Sequence, residues 1–274
     1  IWKETGWAND KGDWKFEIDD YLDFDNEKGA DINPSSFQMI KDFGGTTQEN
    51  FMGHPELYDA YPNLKDRPIR SVEGSGGQYN TRTDVVSIGD KLLSPTSGGE
   101  LSNTQSVNLH ELQHAIQQRE KFAGGGSPTE FELTPKLRAD SLKQWGDISV
   151  LKRLINGRGE DVAPSKFEIL IGRPPSEMEL KLAKEKSFDD IASFQKDLRM
   201  DSQDKYERLA GEAEARNVQT RMDWTPEQRR ATPPWASLDV PEDELIYRKS
   251  GGGVQSSVLG ELPMDSASRV NRTL

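Results

Sequence analysis

The sequence predicts an α+β fold: a small antiparallel or mixed sheet packed on a histidine-bearing helix and on a later glutamate-bearing helix, with a helical insertion between them. Three observations carry this expectation. Short stretches of alternating hydrophobicity fall in the first third of the chain. Two of its three histidines stand four residues apart in NLHELQHAIQQREKFAGGG (108–126). Residues 135–200 are charged, mostly helical in pattern, and lack strand signals.

Each element has its own signature. In DWKFEID (13–19), Trp14, Phe16 and Ile18 alternate on one face, as in a half-buried strand. Residues 20–50 are rich in Asp, Asn and Gly and read as loop. HPELYDAYPNLKD (54–66) carries a short helix around Leu57, Tyr58 and Tyr61, which Pro62 ends. RPIRSVEG (67–74) and DVVSIG (84–89) read as two strands, with SGGQYNTRT as the turn between them. SPTSGGELSN (94–103) reads as a polar loop leading to the histidine-bearing helix. Ser102 or Asn103 caps that helix, Gln105 completes a capping-box pattern, and Gly124 suits its end. Residues 1–126 thus form the sheet and first site helix. Residues 127–202 form the insertion, interrupted at Gly157, Gly159, Pro164, Pro174 and Pro175. Residues 203–224 form a last helix that completes the first domain. Residues 225–274, with Pro226, Pro233, Pro234, Pro241 and a Gly/Ser-rich stretch at 250–257, read as an extended tail or linker.

Composition narrows the function. With 274 residues, 33% apolar and 30% charged, and a mean hydropathy of −0.81, the chain is expected to hold one compact part and polar, poorly packed segments. A net charge of −12 disfavours a phosphate backbone as partner, so no nucleic acid is expected. The absence of cysteine excludes a disulfide framework and a cysteine zinc finger. No apolar run reaches membrane-spanning length and no signal-peptide core is present, so no membrane partner is expected. The chain opens on Ile1, as expected of a fragment of a longer polypeptide or a processed product.

His110-Glu111-x-x-His114 is where chemistry is expected. Residues i and i+4 lie one turn apart on one helix face, so both imidazoles can bind one tetrahedral ion. A glutamate directly after the first histidine falls beside the ion's open position. There it can take a proton from water and return it to a leaving amine. Leu109, Leu112 and Ile116 form an apolar stripe on the side away from the histidines, so one face packs while the other presents chemistry. The bland reading is two solvated histidines on a polar face.

A third protein ligand is needed for a catalytic zinc. His54 is the only other histidine, and nothing in its spacing suggests metal binding. Glu120 lies more than a turn beyond His114 and on another face. The better candidates are Glu212 and Glu214. They point to nearly opposite sides of their helix, and periodicity leaves the choice open. Tyr206, Leu209, Ala213 and Thr220 mark the expected packed face. Ala210, Gly211, Ala213 and Ala215 are small enough for close approach to the histidine-bearing helix.

The His110-Glu111-x-x-His114 helix after a strand pair resembles the zincin metallopeptidases, and a glutamate ligand on a later helix resembles their gluzincin branch. Several such families show Glu-x-x-Ala or Glu-x-x-Ser, which makes Glu212 of Glu212-Ala213-Glu214-Ala215 the implied ligand. Those families often follow the small residue with an Asp or Asn that orients a ligand histidine. Arg216 stands there instead, so the supporting residues are expected to differ. A further resemblance covers residues 5–25, 53–126 and 203–245. TGWANDKGDWKFEIDD, HPELYDAYPNLKD, LHELQHAIQQREKFAGGG and YERLAGEAEARNVQTR, followed by RRATPPW and DVPEDELI, look like the zincin-like domain of phage and prophage polyvalent proteins. These are very long multidomain chains, thought to travel in the virion with the genome. The resemblance implies a Zn2+ metallopeptidase with His110, His114 and Glu212 as ligands and Glu111 as general base. It also implies a peptide or protein substrate, which includes other segments of a phage polyprotein, and a place in the virion or the bacterial host cytoplasm.

In zincins a strand beside the metal helix forms the edge of the cleft. Here DVVSIG or the Gly76–Asn80 segment would serve. Tyr79 and Tyr206 are each candidates to help an oxyanion, and each reads first as a packed aromatic. Two rival functions remain at this level: a non-catalytic virion delivery or interaction module on a zincin shell, and an anti-defence binder that mimics nucleic acid by its acidity. Glu111 argues against the first, because a structural site needs no base beside its ligand. Interspersed basic residues, as in RLINGR and EQRRA, argue against the second.

Overall fold

A computed structural model describes residues 7–10, 13–22, 29–94 and 98–248. The protein is mixed α+β, with small sheets and mostly helices. Its described residues divide into two compact units, one before residue 127 together with 206–248, and the other Ser127–Lys205.

The first unit opens with an antiparallel hairpin of β1 (Trp7–Asp10) and β2 (Asp13–Phe16). The strand expected over 13–19 therefore stops at Phe16. The side chain of Trp14 lies outside the described residues, Phe16 is exposed, and Ile18 packs against the core. The segment read as loop contains β3 (Asp31–Ile32), α1 (Ser35–Phe43), β4 (Thr46–Thr47) and α2 (Gln48–Phe51). β5 (Met52–Gly53) pairs with β3, and α3 (Pro55–Ala60) follows, with proline in its first turn.

The main sheet has the order β4-β6-β8-β7, built from β6 (Pro68–Val72), β7 (Gly77–Asn80) and β8 (Val85–Gly89). β6 and β8 run parallel, while β4–β6 and β7–β8 are antiparallel, so the sheet is mixed. Gly77–Asn80, read as turn, is a strand because its residues alternate half-buried and exposed against β8. β8, the DVVSIG stretch, lies inside the sheet between β6 and β7, so it is not the free edge; β7 is. Ile69, Val86 and Ile88 are fully buried on the inner face.

α4 (Gly98–Glu120) packs against β7 and β8. It starts within the expected polar loop, which places Ser102 and Asn103 inside the helix rather than at its cap. It ends before Gly124, with Lys121 at φ +61° taking the left-handed position. Leu109, Leu112 and Ala115 are buried, as the apolar stripe requires.

The second unit contains α5 (Pro135–Arg158), α6 (Ala163–Ile171), α7 (Glu177–Glu185) and α8 (Phe188–Arg199). α5 runs through Gly157 and stops at Gly159, whose φ of +86° ends the helix. Trp145, Ile148, Leu151, Phe167, Leu182, Ile191 and Leu198 form one buried cluster. Ser176 with Glu179 and Ser187 with Asp190 make complete capping boxes, which explains where α7 and α8 begin.

α9 (Ser202–Glu207) crosses the division between the units, and α10 (Ala210–Arg221) returns to the first. The single helix expected over 203–222 is broken at Leu209. The Ile246 N–H donates to the Arg208 carbonyl at 2.7 Å and the Ala210 N–H to the Ile246 carbonyl at 2.9 Å. Leu209 is thus extended and buried, and Glu212 falls in the first turn of α10.

The chain beyond Trp224 is not an extended tail as far as residue 248. α11 (Pro226–Ala231) starts at a capping box of Thr225 and Gln228. Arg229 is buried and its guanidinium meets Glu17 at 2.6 Å. Asn217 donates to the Pro234 carbonyl at 2.8 Å. Buried ion pairs and backbone bonds hold a proline-rich segment that has no periodic apolar face, which is why its sequence reads as linker. Residues 249–274 lie outside the described residues. No helix among the described residues is long and apolar enough to cross a membrane.

Candidate metal centre

Two helices build the centre. α4 carries His110, Glu111 and His114, and α10 crosses it closely through small residues. Gly211 packs on the chain at Gly124–Gly125, where a Cβ would lie 2.3 Å from the Gly124 carbonyl carbon. That approach brings Glu212 under the two imidazoles. Ala213, Asn217 and Arg221 form the packed face of α10 with Ala210 and Gly211, whereas Thr220, expected there, is exposed.

His110, His114 and Glu212 converge. Their ligand atoms lie within 4.8 Å of one another: His110 Nε2 is 3.1 Å from His114 Nε2, His114 Nε2 is 3.3 Å from Glu212 Oε1, and His110 Nε2 is 3.4 Å from the other carboxylate oxygen, Oε2. Metal–ligand distances of about 2.0–2.1 Å on a tetrahedron put neighbouring ligand atoms about 3.3–3.4 Å apart. The separations are of the size one four-coordinate ion requires, with each imidazole facing a different oxygen of the Glu212 carboxylate. Glu212 is buried, and its Oε2 has no hydrogen-bond partner. A buried carboxylate oxygen without a donor is costly unless a cation meets it, so the donor set fits a divalent metal.

The tautomers follow from the neighbours. Gln117 Nε2 donates to the Gly211 carbonyl at 2.9 Å and to Glu214 at 2.8 Å, which turns its Oε1 toward His114 Nδ1 at 2.9 Å. Gln219 Nε2 donates to the Ser106 carbonyl and hydroxyl at 3.2 and 3.0 Å, which turns its Oε1 toward His110 Nδ1 at 3.2 Å. An amide oxygen only accepts, so each Nδ1 carries the proton and each Nε2 offers its lone pair inward. Glu212 Oε1 accepts the Gly126 N–H at 2.8 Å. Without an ion, burial pulls the His114 pKa down, but the Glu212 carboxylate, Glu111 and Gln117 outweigh it and push it up to about 9. Burial also raises Glu212, yet the two histidines beside it hold it well below the usual carboxylate range.

Glu111 is buried beside this group but is not a member of it. Burial pushes its carboxyl up, against the pull of the two histidines. Gly77 leaves it room, since a Cβ there would lie 2.7 Å from Glu111 Oε1. The edge strand β7 thus lies against the candidate base.

The other candidates fall elsewhere. Glu214 faces Gln117 and Lys15, whose ammonium lies at 2.8 Å. His54 is buried against Asp20 at 2.8 Å, outside the metal group. The Tyr79 hydroxyl is held by Asp84 and Gln118, whereas burial and the nearby Glu212 carboxylate push the Tyr206 hydroxyl up. Arg216 turns to Asp239, at 2.6 and 3.0 Å. Sequence reasoning missed Gln117, Gln219, Ser106 and Gly126. The i, i+3 spacing of His114 and Gln117 was the one available signal.

Comparison with protein-family models, curated proteins and solved structures found no match for this chain.

Proposed function

We propose that this chain is a zincin-like, zinc-dependent metallopeptidase domain that hydrolyses peptide bonds. The observation that supports it most is the convergence of His110, His114 and Glu212, whose buried Oε2 has no hydrogen-bond partner, with Glu111 beside them. His110, His114 and Glu212 would hold the ion. Zinc, when bound, supplies Lewis acidity toward the scissile carbonyl and the attacking water.

The chain's own groups do the rest. Glu111, made more basic by burial and seated against β7 at Gly77, takes a proton from the attacking water and delivers it to the leaving amine. The C–N bond breaks as the C–O bond forms, and the water's atoms are divided between the two new ends. β7 is bonded to β8 on one side only, so its other edge offers backbone groups to an extended peptide. The resemblance to polyvalent proteins supports a phage or prophage origin, with flanking polyprotein segments or host proteins as substrates, in the virion or the host cytoplasm.

The test joins metal content to turnover. Purified protein is expected to carry about one zinc per chain. Full zinc in the His110→Ala, His114→Ala double variant would end the proposal. Glu212→Gln is expected to lose zinc while Glu214→Gln keeps it. Glu111→Gln is expected to keep zinc and lose at least about 100-fold in turnover on flanking polyprotein segments or unfolded host proteins. Equal turnover of Glu111→Gln and wild type would remove the hydrolytic mechanism.

A further inference from the structure

Resting on the metal reading above, we infer that Gln117 and Gln219 are a reciprocal pair of positioning residues that set both ligand histidines through neutral amides. Each bridges the two site helices in the opposite sense. Gln117, on α4, reaches the Gly211 carbonyl of α10; Gln219, on α10, reaches the Ser106 carbonyl and hydroxyl of α4. Each then presents its carbonyl oxygen to one histidine Nδ1, at 2.9 Å for His114 and 3.2 Å for His110. The contact that locks the helices together is also the contact that orients each ring.

The carboxylates nearby do not take this role. Glu214 Oε2 bonds the Gln117 amide instead of an imidazole, and its other oxygen meets Lys15 at 2.8 Å. Arg216 is turned outward to Asp239 and the Glu207 carbonyl. Gln117 is buried, and its amide hydrogens are engaged by Gly211 and Glu214, so it cannot flip without losing both bonds. Using amides where carboxylates would serve adds no negative charge next to Glu212 and Glu111, which already share the pocket.

The same bonds would exist if the glutamines merely packed the helices, so the experiment separates the two roles. Zinc affinity of the full chain is measured by chelator competition, alongside thermal unfolding of the metal-free protein. Gln117→Met and Gln219→Met keep side-chain volume and remove the acceptor. Each is expected to weaken zinc about 10–100-fold. The double exchange Gln117→Glu, Glu214→Gln keeps an acceptor facing His114 and a hydrogen bond between positions 117 and 214, but removes the donor to Gly211. It is expected to bind zinc as tightly as wild type or tighter. Wild-type affinity in both methionine variants would overturn the inference. So would a loss in the double exchange as large as in Gln117→Met, which would leave interhelical packing as the role of Gln117. A wild type that binds no zinc would instead remove the metal reading on which the inference rests.

Discussion

Both units bury a hydrocarbon core, and they differ in how their buried charges are paired. Unit 2 holds a hydrocarbon core around Trp145, Ile148 and Phe167, and starts its helices with side-chain caps that follow local rules. Unit 2 pairs its buried Glu179 with Arg173, close by in the chain, whereas unit 1 buries Glu111 and Glu212 at the candidate metal centre and gathers Arg221 and Arg229 around the distant Glu17. Buried charge costs much unless it is paired. Unit 1 therefore depends on side chains meeting across long sequence separations, while unit 2 depends chiefly on helix periodicity.

The largest test of that contrast is Arg221→Met. Arg221 makes a two-pronged bond to Glu17, at 2.6 Å on each side, and also holds the Thr232 carbonyl and Ser237. Its loss is expected to destabilise unit 1 toward the lower end of about 3–5 kcal/mol, because Arg229 still holds Glu17. Denaturant unfolding followed by unit-specific hydrogen exchange would measure it. An unchanged unit 1 would show that its buried ion pairs are incidental to its stability.

Next comes Gly125→Ala. A Cβ there would lie 2.3 Å from Glu212 Oε1 and 2.4 Å from His114 Cε1. The ligand side chains must shift, at an expected cost of about 1–3 kcal/mol together with weaker zinc binding. Calorimetry and chelator competition would read the two effects.

An acid titration sharpens the contrast from the other side. In unit 2, burial raises the Glu179 carboxyl, but Arg173 and the Ser176 cap hold it down at about 2, from an ordinary 4.5. A depressed folded-state pKa contributes stability that is present above about 4.5 and is lost as pH falls toward 2. Glu179→Gln is expected to flatten the fall in unit 2 melting temperature across that window. An unaltered slope would show that the Arg173 pair does not govern the acid response.

The smallest expected effect has the opposite sign. Gly146, within α5, would place a Cβ in open space. Gly146→Ala is expected to stabilise unit 2 by about 0.5–1 kcal/mol. The same substitution at Gly125 and Gly146 thus separates a site glycine from a helix glycine.

By itself the sequence determined what repeats locally. The spacing of His110, Glu111 and His114 put three functional groups on one turn, because a helix repeats every 3.6 residues. RPIRSVEG and DVVSIG read as the strands that are β6 and β8, because their side chains follow a strand's local repeat. Tertiary structure decided what depends on distant partners. Leu209 left the helix because Ile246 bonded its neighbours, 208 and 210. Residues 225–248 folded back because Glu17 and Asn217 gave them polar partners. Glu212 turned to the histidines and Glu214 to Gln117 and Lys15, although both sit on one short helix. Periodicity fixes which side of a helix a residue occupies; the element packed against that side decides whether it becomes a ligand, a tether or a surface charge.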